Sequence, residues 1–289
     1  MALGLSIAGL IAVFFGPTIN GTRRWFGLGG IGVQPSEMAK VAIIIFVAAV
    51  LEQRMNRINE VAYSILPIAV LVAVISWLIL LQPDYGTAMT IIMIVGVIVF
   101  AAGINYRYLL IAGVGLVPLA YLVLASADYR RRRLLAFIDP WGDPLGDGFQ
   151  IIQSTIAVGT GGVFGQGLMA GVQKLFYLPA PHTDFIYAVI AEETGLLGAT
   201  VILLCFCVIT WRGLRAAAFA PDRFGALLAV GLTTMLALQA FLNISVVLGL
   251  LPTKGIPLPF VSSGGSSMLV SLLSMGILLN ISQHASAKI

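Results

Sequence analysis

The chain has 289 residues, of which 59% are hydrophobic and 10% charged, with a net charge of +4. A soluble domain carries roughly 25% charged residues, so this chain lacks the charge to cover a water-facing surface, and a soluble globular class is excluded for most of it. The basic surplus lies in loops beside apolar segments, which favours lipid-phosphate partners over nucleic acid.

Runs of about 20 apolar residues cross a bilayer as helices. Eight are expected, at about 2–18, 36–53, 63–82, 86–103, 107–125, 184–210, 224–250 and 266–284. The first lacks a basic leading region and a small-residue cleavage site, so it reads as a membrane helix rather than a signal peptide. The expected fold class is therefore an all-α polytopic membrane protein, a single membrane domain over residues 1–289. Its large polar excursion, 126–183, joins the fifth and sixth spans, and 151–158 within it reads as a short helix or a re-entrant segment. Cys205 and Cys207 stand two apart and point to different faces of a helix, so neither a disulfide nor a metal pair is indicated; both read as small buried hydrophobes.

Alternate loops put Arg54, Arg57, Arg107, Arg212, Arg215, Arg223 and Lys288 on one side of the membrane. The other side receives Arg23, Arg24, Lys40, the four arginines 130–133, Lys174 and Lys254. Long loops are largely exempt from the positive-inside rule. Discounting 126–183 leaves seven basic residues against four, which makes the Arg54 side cytoplasmic and turns the 126–183 loop outward.

Several polar constellations sit near the outward ends of the spans. Glu37 and Lys40 are three apart on a helix and can pair with each other. Gln82-Pro83-Asp84-Tyr85-Gly86 reads as a tight turn in which Asp84 caps the next helix. The arginines 130–133 are either a solvated membrane flank or an anion site. Asp139, Asp143 and Asp147 recur every four residues, but Gln150 stands where a calcium loop needs its terminal Glu, and Asp-Pro and Asp-Gly pairs form ordinary turns. Glycines 159, 161, 162, 165, 167 and 171 miss the dinucleotide and P-loop patterns, so they suit close backbone packing or a lid.

Pro181-His182-Thr183-Asp184-Phe185 is the sharpest feature. A carboxylate where a loop enters a membrane helix lies between water and low dielectric, and desolvation raises a carboxyl pKa towards the range useful for proton abstraction. The competing reading is that Asp184 caps the helix that follows. At least one of Glu192 and Glu193, deeper in the same span, reads as a structural polar contact between helices. Lys254 lies in Leu251-Pro252-Thr253-Lys254-Gly255-Ile256-Pro257-Leu258-Pro259-Phe260, and such broken backbone at membrane depth survives only beside protein or a water-filled cavity.

Taken in order, Asn20-Gly21 with Arg24-Trp25, Gln34-Pro35-Ser36-Glu37 with Ala39-Lys40, Gln82-Pro83-Asp84 with Gly86-Thr87, Asp143-Pro144-Leu145-Gly146, Gln153-Ser154, His182-Thr183-Asp184-Phe185-Ile186 and Pro257-Leu258-Pro259-Phe260-Val261-Ser262 resemble the SEDS family of cell-wall polymerases. The family implies ten transmembrane helices, of which this chain would start at the third. It implies glycan-strand polymerisation on the outer face of the bacterial cytoplasmic membrane: a sugar hydroxyl on one lipid II molecule attacks the anomeric carbon of another, inverting it, and undecaprenyl pyrophosphate leaves. Such transfer needs a general base and cations facing the departing pyrophosphate. The resemblance assigns the essential aspartate to Asp184 and the polar cavity residues to Lys40 and Gln153. Arg23, Arg24, His182, Lys254 and the arginines 130–133 are further substrate-binding candidates. A divalent cation is compatible with this chemistry, although no ligand set is visible.

Val172-Gln173-Lys174-Leu175 with Tyr177-Leu178-Pro179, and Leu251-Pro252-Thr253-Lys254-Gly255, resemble the division (FtsW-like) branch, which implies a septal location, a class B penicillin-binding protein as transpeptidase partner, and other divisome proteins. The chain departs from the family at Ala180, where Glu is common, and at Ser263, where Tyr is common. A lipid II flippase needs polar groups deep in several spans, whereas here the mid-span segments are almost free of charge. A non-enzymatic division scaffold needs only apolar faces and stays open.

Overall fold

A computed structural model of the chain describes residues 2–18, 22–28, 31–125, 128–175, 178 and 181–285. Asn20, Gly21, Tyr177, Pro179, Ala180 and Lys288 fall outside the described residues.

Ten α-helices are described: α1 (Ala2–Ala12), α2 (Pro35–Gln53), α3 (Val61–Leu81), α4 (Tyr85–Ala101), α5 (Tyr106–Ala125), α6 (Asp128–Ile138), α7 (Phe149–Gly161), α8 (Ile186–Ala218), α9 (Arg223–Val247) and α10 (Gly265–His284). Every expected span falls on a helix. By length and composition α3, α8, α9 and α10 can cross a membrane, while α1, α4 and part of α5 are shorter apolar helices. The 19-residue α2 carries Glu37, Lys40 and Glu52 among its apolar residues.

The all-α fold class holds, and one small hairpin is added to it. Phe26–Leu28 (β1) and Ile31–Val33 (β2) pair antiparallel, Phe26 opposite Val33. Two apolar triplets around a Gly-Gly dipeptide are the hairpin signal, here at the shortest usable length. The expectation of buried cysteines is corrected, since Cys205 and Cys207 are exposed on α8. In a helix whose outer surface is as apolar as its inner one, a small hydrophobe has no reason to face inward.

The chain divides into two compact units, Met1–Leu109 with Val208–Leu238 and Gly264–Ile289, and Leu110–Cys207 with Gln239–Ser263. In the first unit α2 packs against α1, α4 and α10. Its buried stripe of Ile43, Ile44, Val47 and Leu51 forms a core with Ile91, Ile94 and Ile98 of α4. Gly231 of α9 lets the backbone into this core: a methyl group there would lie 2.5 Å from Ile44 and 2.8 Å from Ile98. On α10 the buried serines 271 and 274 return their hydroxyls to the carbonyls of Ser267 and Val270, at 2.7 Å each. Satisfied small residues of this kind allow close packing inside a membrane.

In the second unit α7 docks on α9 through the buried Ser154, whose Oγ donates to Val247 O at 2.7 Å. α9 ends at Gly249 (φ +70°), with Leu250 N returning to Ser245 O at 2.8 Å. Pro252 follows and prevents continuation. This ending releases the irregular segment 251–263 that the site requires.

Candidate active site

The approach to α8 leaves the carbonyls of residues 182–184 ahead of the helix ladder, whose first turn closes on Phe185 O from Ala188 N at 3.0 Å. Asp184 thus stands one residue ahead of the capping position. Each of the three carbonyls has a partner: Ser263 N donates to His182 O at 2.8 Å, Ser262 Oγ to Thr183 O at 2.5 Å, and Asn243 Nδ2 to Asp184 O at 2.8 Å. Asn243 Nδ2 also donates to Ile256 O at 2.7 Å. This buried amide on α9 therefore ties the entry of α8 to the proline-rich segment. The half-buried Asp184 side chain rests against Gly255, where a methyl group would meet Oδ2 at 2.7 Å. Only glycine permits that approach.

Lys254 precedes Gly255 and is half-buried. On the other flank of the same segment, Arg133 of α6 sends Nη1 towards Thr253 O at 3.5 Å. Arg133, Leu145, Gly146, Asp147, Phe149, Gln150 and Thr253 line a half-open cavity of about 160 Å³. Water occupies roughly 30 Å³ in the liquid, so the cavity has room for a phosphate-sized group. Arg132 is exposed and lies 3.7 Å from Asp147, Arg131 is exposed, and the side chain of Arg130 is outside the described residues. His182 is exposed, and Gln153 is half-buried on α7. Asp184, His182, Lys254 and Gln153 all belong to the second unit.

Lys40, Arg23 and Arg24 belong to the first unit. Lys40 is 2% exposed and bonds Glu37 Oε1 at 2.7 Å, so the i,i+3 pair forms in full burial. Arg24 grips the turn before α4, Nε donating to Gln82 O and Nη2 to Pro83 O, both at 2.6 Å. Arg23 Nη1 donates to Phe14 O at 2.8 Å. Asp84 caps α4 as expected, accepting from Thr87 N at 3.1 Å and Thr87 Oγ1 at 2.8 Å.

Glu192 and Glu193 hold the glycine-rich loop rather than bridge two helices. Glu192 Oε1 accepts from Val172 N at 2.9 Å and Gln173 N at 3.2 Å. Glu193 accepts from Met169 N at 3.0 Å and pairs with Lys174 at 2.5 Å. Two residues beyond Glu193, α8 breaks at Gly195 (φ +65°). The two helical bonds this would forfeit are exchanged for four to the loop. Gln166 N reaches Glu192 O and Gly167 N reaches Glu193 O, both at 3.0 Å, while Leu196 N reaches Gly162 O at 2.9 Å and Leu197 N reaches Val163 O at 3.3 Å. Of the glycines, Gly161 and Gly165 serve backbone-to-backbone packing, where a methyl group would stand 2.0 Å from Ala191 O and 2.1 Å from Glu193 O. The aspartates of the preceding stretch serve turns, Asp143 accepting through its carbonyl from Gly148 N and through Oδ2 from Asp147 N, both at 3.1 Å. Among the described residues, no three His, Cys, Asp or Glu side chains gather into a metal-binding group.

Sequence reasoning missed Asn243, and its signal was a lone amide in the apolar run Ala240-Phe241-Leu242-Asn243-Ile244-Ser245. The geometry as a whole is a carboxylate placed by three successive carbonyl anchors, with a lysine and an arginine along the segment it rests on. Such a set can take a proton from a hydroxyl and face an anionic leaving group.

A family model described as "Cell cycle protein" (FtsW, RodA, SpoVE) matches residues 1–287. A probable peptidoglycan glycosyltransferase FtsW of Geobacter sulfurreducens is 47% identical over 267 residues, covering 92% of this chain and 72% of that protein. The stage V sporulation protein E of Bacillus subtilis is 46% identical over 267 residues, 92% of this chain and 73% of its own. Among solved structures, a chain from a peptidoglycan synthase complex that coordinates polymerization and crosslinking aligns with TM-score 0.78 at 34% identity, covering 99% of this chain and 83% of that one. The rod shape determining protein RodA of Thermus thermophilus aligns with TM-score 0.69 at 31% identity, covering 99% and 79%.

Proposed function

The chain belongs to the FtsW, RodA and SpoVE family of cell cycle proteins, and from that premise we propose that Asp184 is the general base of its glycosyl transfer. The protein is an integral membrane peptidoglycan glycosyltransferase. We further propose that it polymerises lipid II on the outer face of the cytoplasmic membrane, at the division septum, in company with a class B penicillin-binding protein and other divisome proteins.

One observation carries the assignment: the three bonded carbonyls of residues 182–184 hold the Asp184 carboxylate against Gly255, one residue from Lys254. In the reaction, a hydroxyl oxygen of the acceptor sugar forms a bond to the donor's anomeric carbon. Its proton passes to the Asp184 carboxylate. The bond from that carbon to the pyrophosphate breaks, and the electron pair leaves with undecaprenyl pyrophosphate. Lys254, and Arg133 at its phosphate-sized cavity, face the negative charge that accumulates. His182 and Gln153 are proposed sugar contacts. Lys40, Arg23 and Arg24 act by shaping the first unit, their donors serving Glu37 and the carbonyls of Phe14, Gln82 and Pro83.

The test is polymerisation of labelled lipid II by the purified protein with its transpeptidase partner. Glycan strands should form, and Asp184→Ala should abolish them while the melting temperature holds. Unchanged polymerisation by that variant would refute the assigned base, and transport of lipid II across vesicles without polymer would favour a flippase.

A further inference from the structure

We infer that the turn 163–169 is a bilayer anchor, with Phe164, Leu168 and Met169 seated in the lipid interface on the Asp184 side of the membrane. Phe164 is 82% exposed, Leu168 78% and Met169 82%. These are large apolar side chains on a backbone that is anything but loose, since Val163, Gln166 and Gly167 are bonded to the backbone of α8 and Met169 N to the Glu193 carboxylate. The fold therefore holds them outward.

The helix supplies a depth gauge. On α8 the charge-free run between Glu193 and Arg212 is 194–211, 18 residues. Its continuous helical part beyond the break at Gly195, 196–211, rises about 24 Å at 1.5 Å per residue, which spans most of the roughly 30 Å of a hydrocarbon core. Arg212 and its neighbour Trp211, an interfacial pair, mark one boundary, and the Glu193–Lys174 ion pair beside the turn stands at the other end of the run. The turn is bonded to residues 192–197, so it lies where hydrocarbon gives way to headgroups. Its composition suits that level, because residues 149–173 contain no charged side chain. Its backbone does too, because irregular chain is tolerated at this depth only where its polar groups are bonded to protein, and here α8 bonds them. Apolar side chains seated about 5–10 Å into the headgroup–acyl boundary act as reversible anchors. The loop leading to Asp184 would thereby be fixed in depth relative to any lipid-borne substrate. The inference rests on the membrane assignment alone and stands whether or not Asp184 is the base.

The test uses the full chain with Cys205 and Cys207 replaced by serine, a Phe164→Cys change carrying a small fluorophore, and phosphatidylcholine–phosphatidylglycerol vesicles whose lipids bear a nitroxide near the headgroup end of the acyl chain. Leu145→Cys, on an exposed turn between Asp143 and Asp147, is the aqueous reference. The label at 164 should be quenched by the nitroxide lipids about threefold more than the reference and be shielded from aqueous iodide, as an interfacial site requires. Leu168→Cys should reproduce this, which guards against a local distortion by the first variant. Quenching equal to the reference, with iodide reaching both labels, would overturn the anchor and point to a protein partner on the turn instead.

Discussion

At the scale of single residues, the placement of Asp184 depends on contacts that are not its own. Asn243 bonds two carbonyls, those of Asp184 and Ile256, and is itself buried. Leaving such groups unpaired costs about 1–3 kcal/mol each, so Asn243→Ala should lower the melting temperature as well as the polymerisation rate. Gly255→Ala separates these effects. Its methyl group would stand 2.7 Å from Asp184 Oδ2 and must displace the carboxylate. Misplacement of a catalytic group by an ångström can cost on the order of 10²-fold in rate. The expected result is therefore a fall in kcat of roughly 10- to 100-fold with the melting temperature nearly unchanged. A loss of both together would mean that Gly255 serves folding rather than position. The buried Glu37–Lys40 pair invites the converse measurement. Lys40→Met leaves a carboxylate buried without its cation, which should cost about 3–5 kcal/mol, and adding Glu37→Gln should restore most of it. Thermal melts of the two variants decide this.

Among the elements, the break in α8 is the feature with most consequence. Gly195 at φ +65° would strain any other residue, and its added methyl group would also meet Gly165 N at 2.4 Å and Val163 O at 2.5 Å. Gly165→Ala probes the same contact from the loop side: Gly165 has φ +81°, and its methyl group would meet Glu193 O at 2.1 Å and force the strap away from the helix. Amide hydrogen exchange at residues 166, 167, 172 and 173 should then accelerate by at least about tenfold, the signature of local opening, while exchange in α9 stays as it was. The clasp also marks the boundary of what sequence can reveal. The Asp84 cap and the Glu37–Lys40 pair were legible because donor and acceptor lie three residues apart and helix geometry brings them together. The glycine run was legible as close packing but not in its partner, because Gly195 looks like any glycine in a membrane helix until the strands of backbone beside it are known. Asn243 was illegible for the same reason, its two acceptors lying 59 residues before it and 13 after. The β1–β2 hairpin escaped because three-residue strands carry almost no period to detect.

For the whole molecule, the direction in which the chain faces decides which side of the membrane carries the chemistry. Composition placed it in a membrane, and the charge count turned the 126–183 stretch outward only after that stretch was itself discounted. The structure removes part of the difficulty of moving four arginines across the bilayer. They lie at the start of α6 rather than on a bare loop, where Arg132 approaches Asp147 and Arg133 lines a cavity with Asp147 and Thr253. A module with its own carboxylates, cations and cavity is expected on the side where the lipid-linked sugars are joined. With Cys205 and Cys207 replaced by serine, a cysteine at Leu145 should react with a membrane-impermeant maleimide in intact cells. One at Asn56, in the exposed turn between α2 and α3 beside Arg54 and Arg57, should react only after permeabilisation. The reverse pattern would put Asp184 on the cytoplasmic side. That result would remove the outer-face polymerase reading at a stroke while leaving the helices, the clasp and the depth of the 163–169 turn as they are.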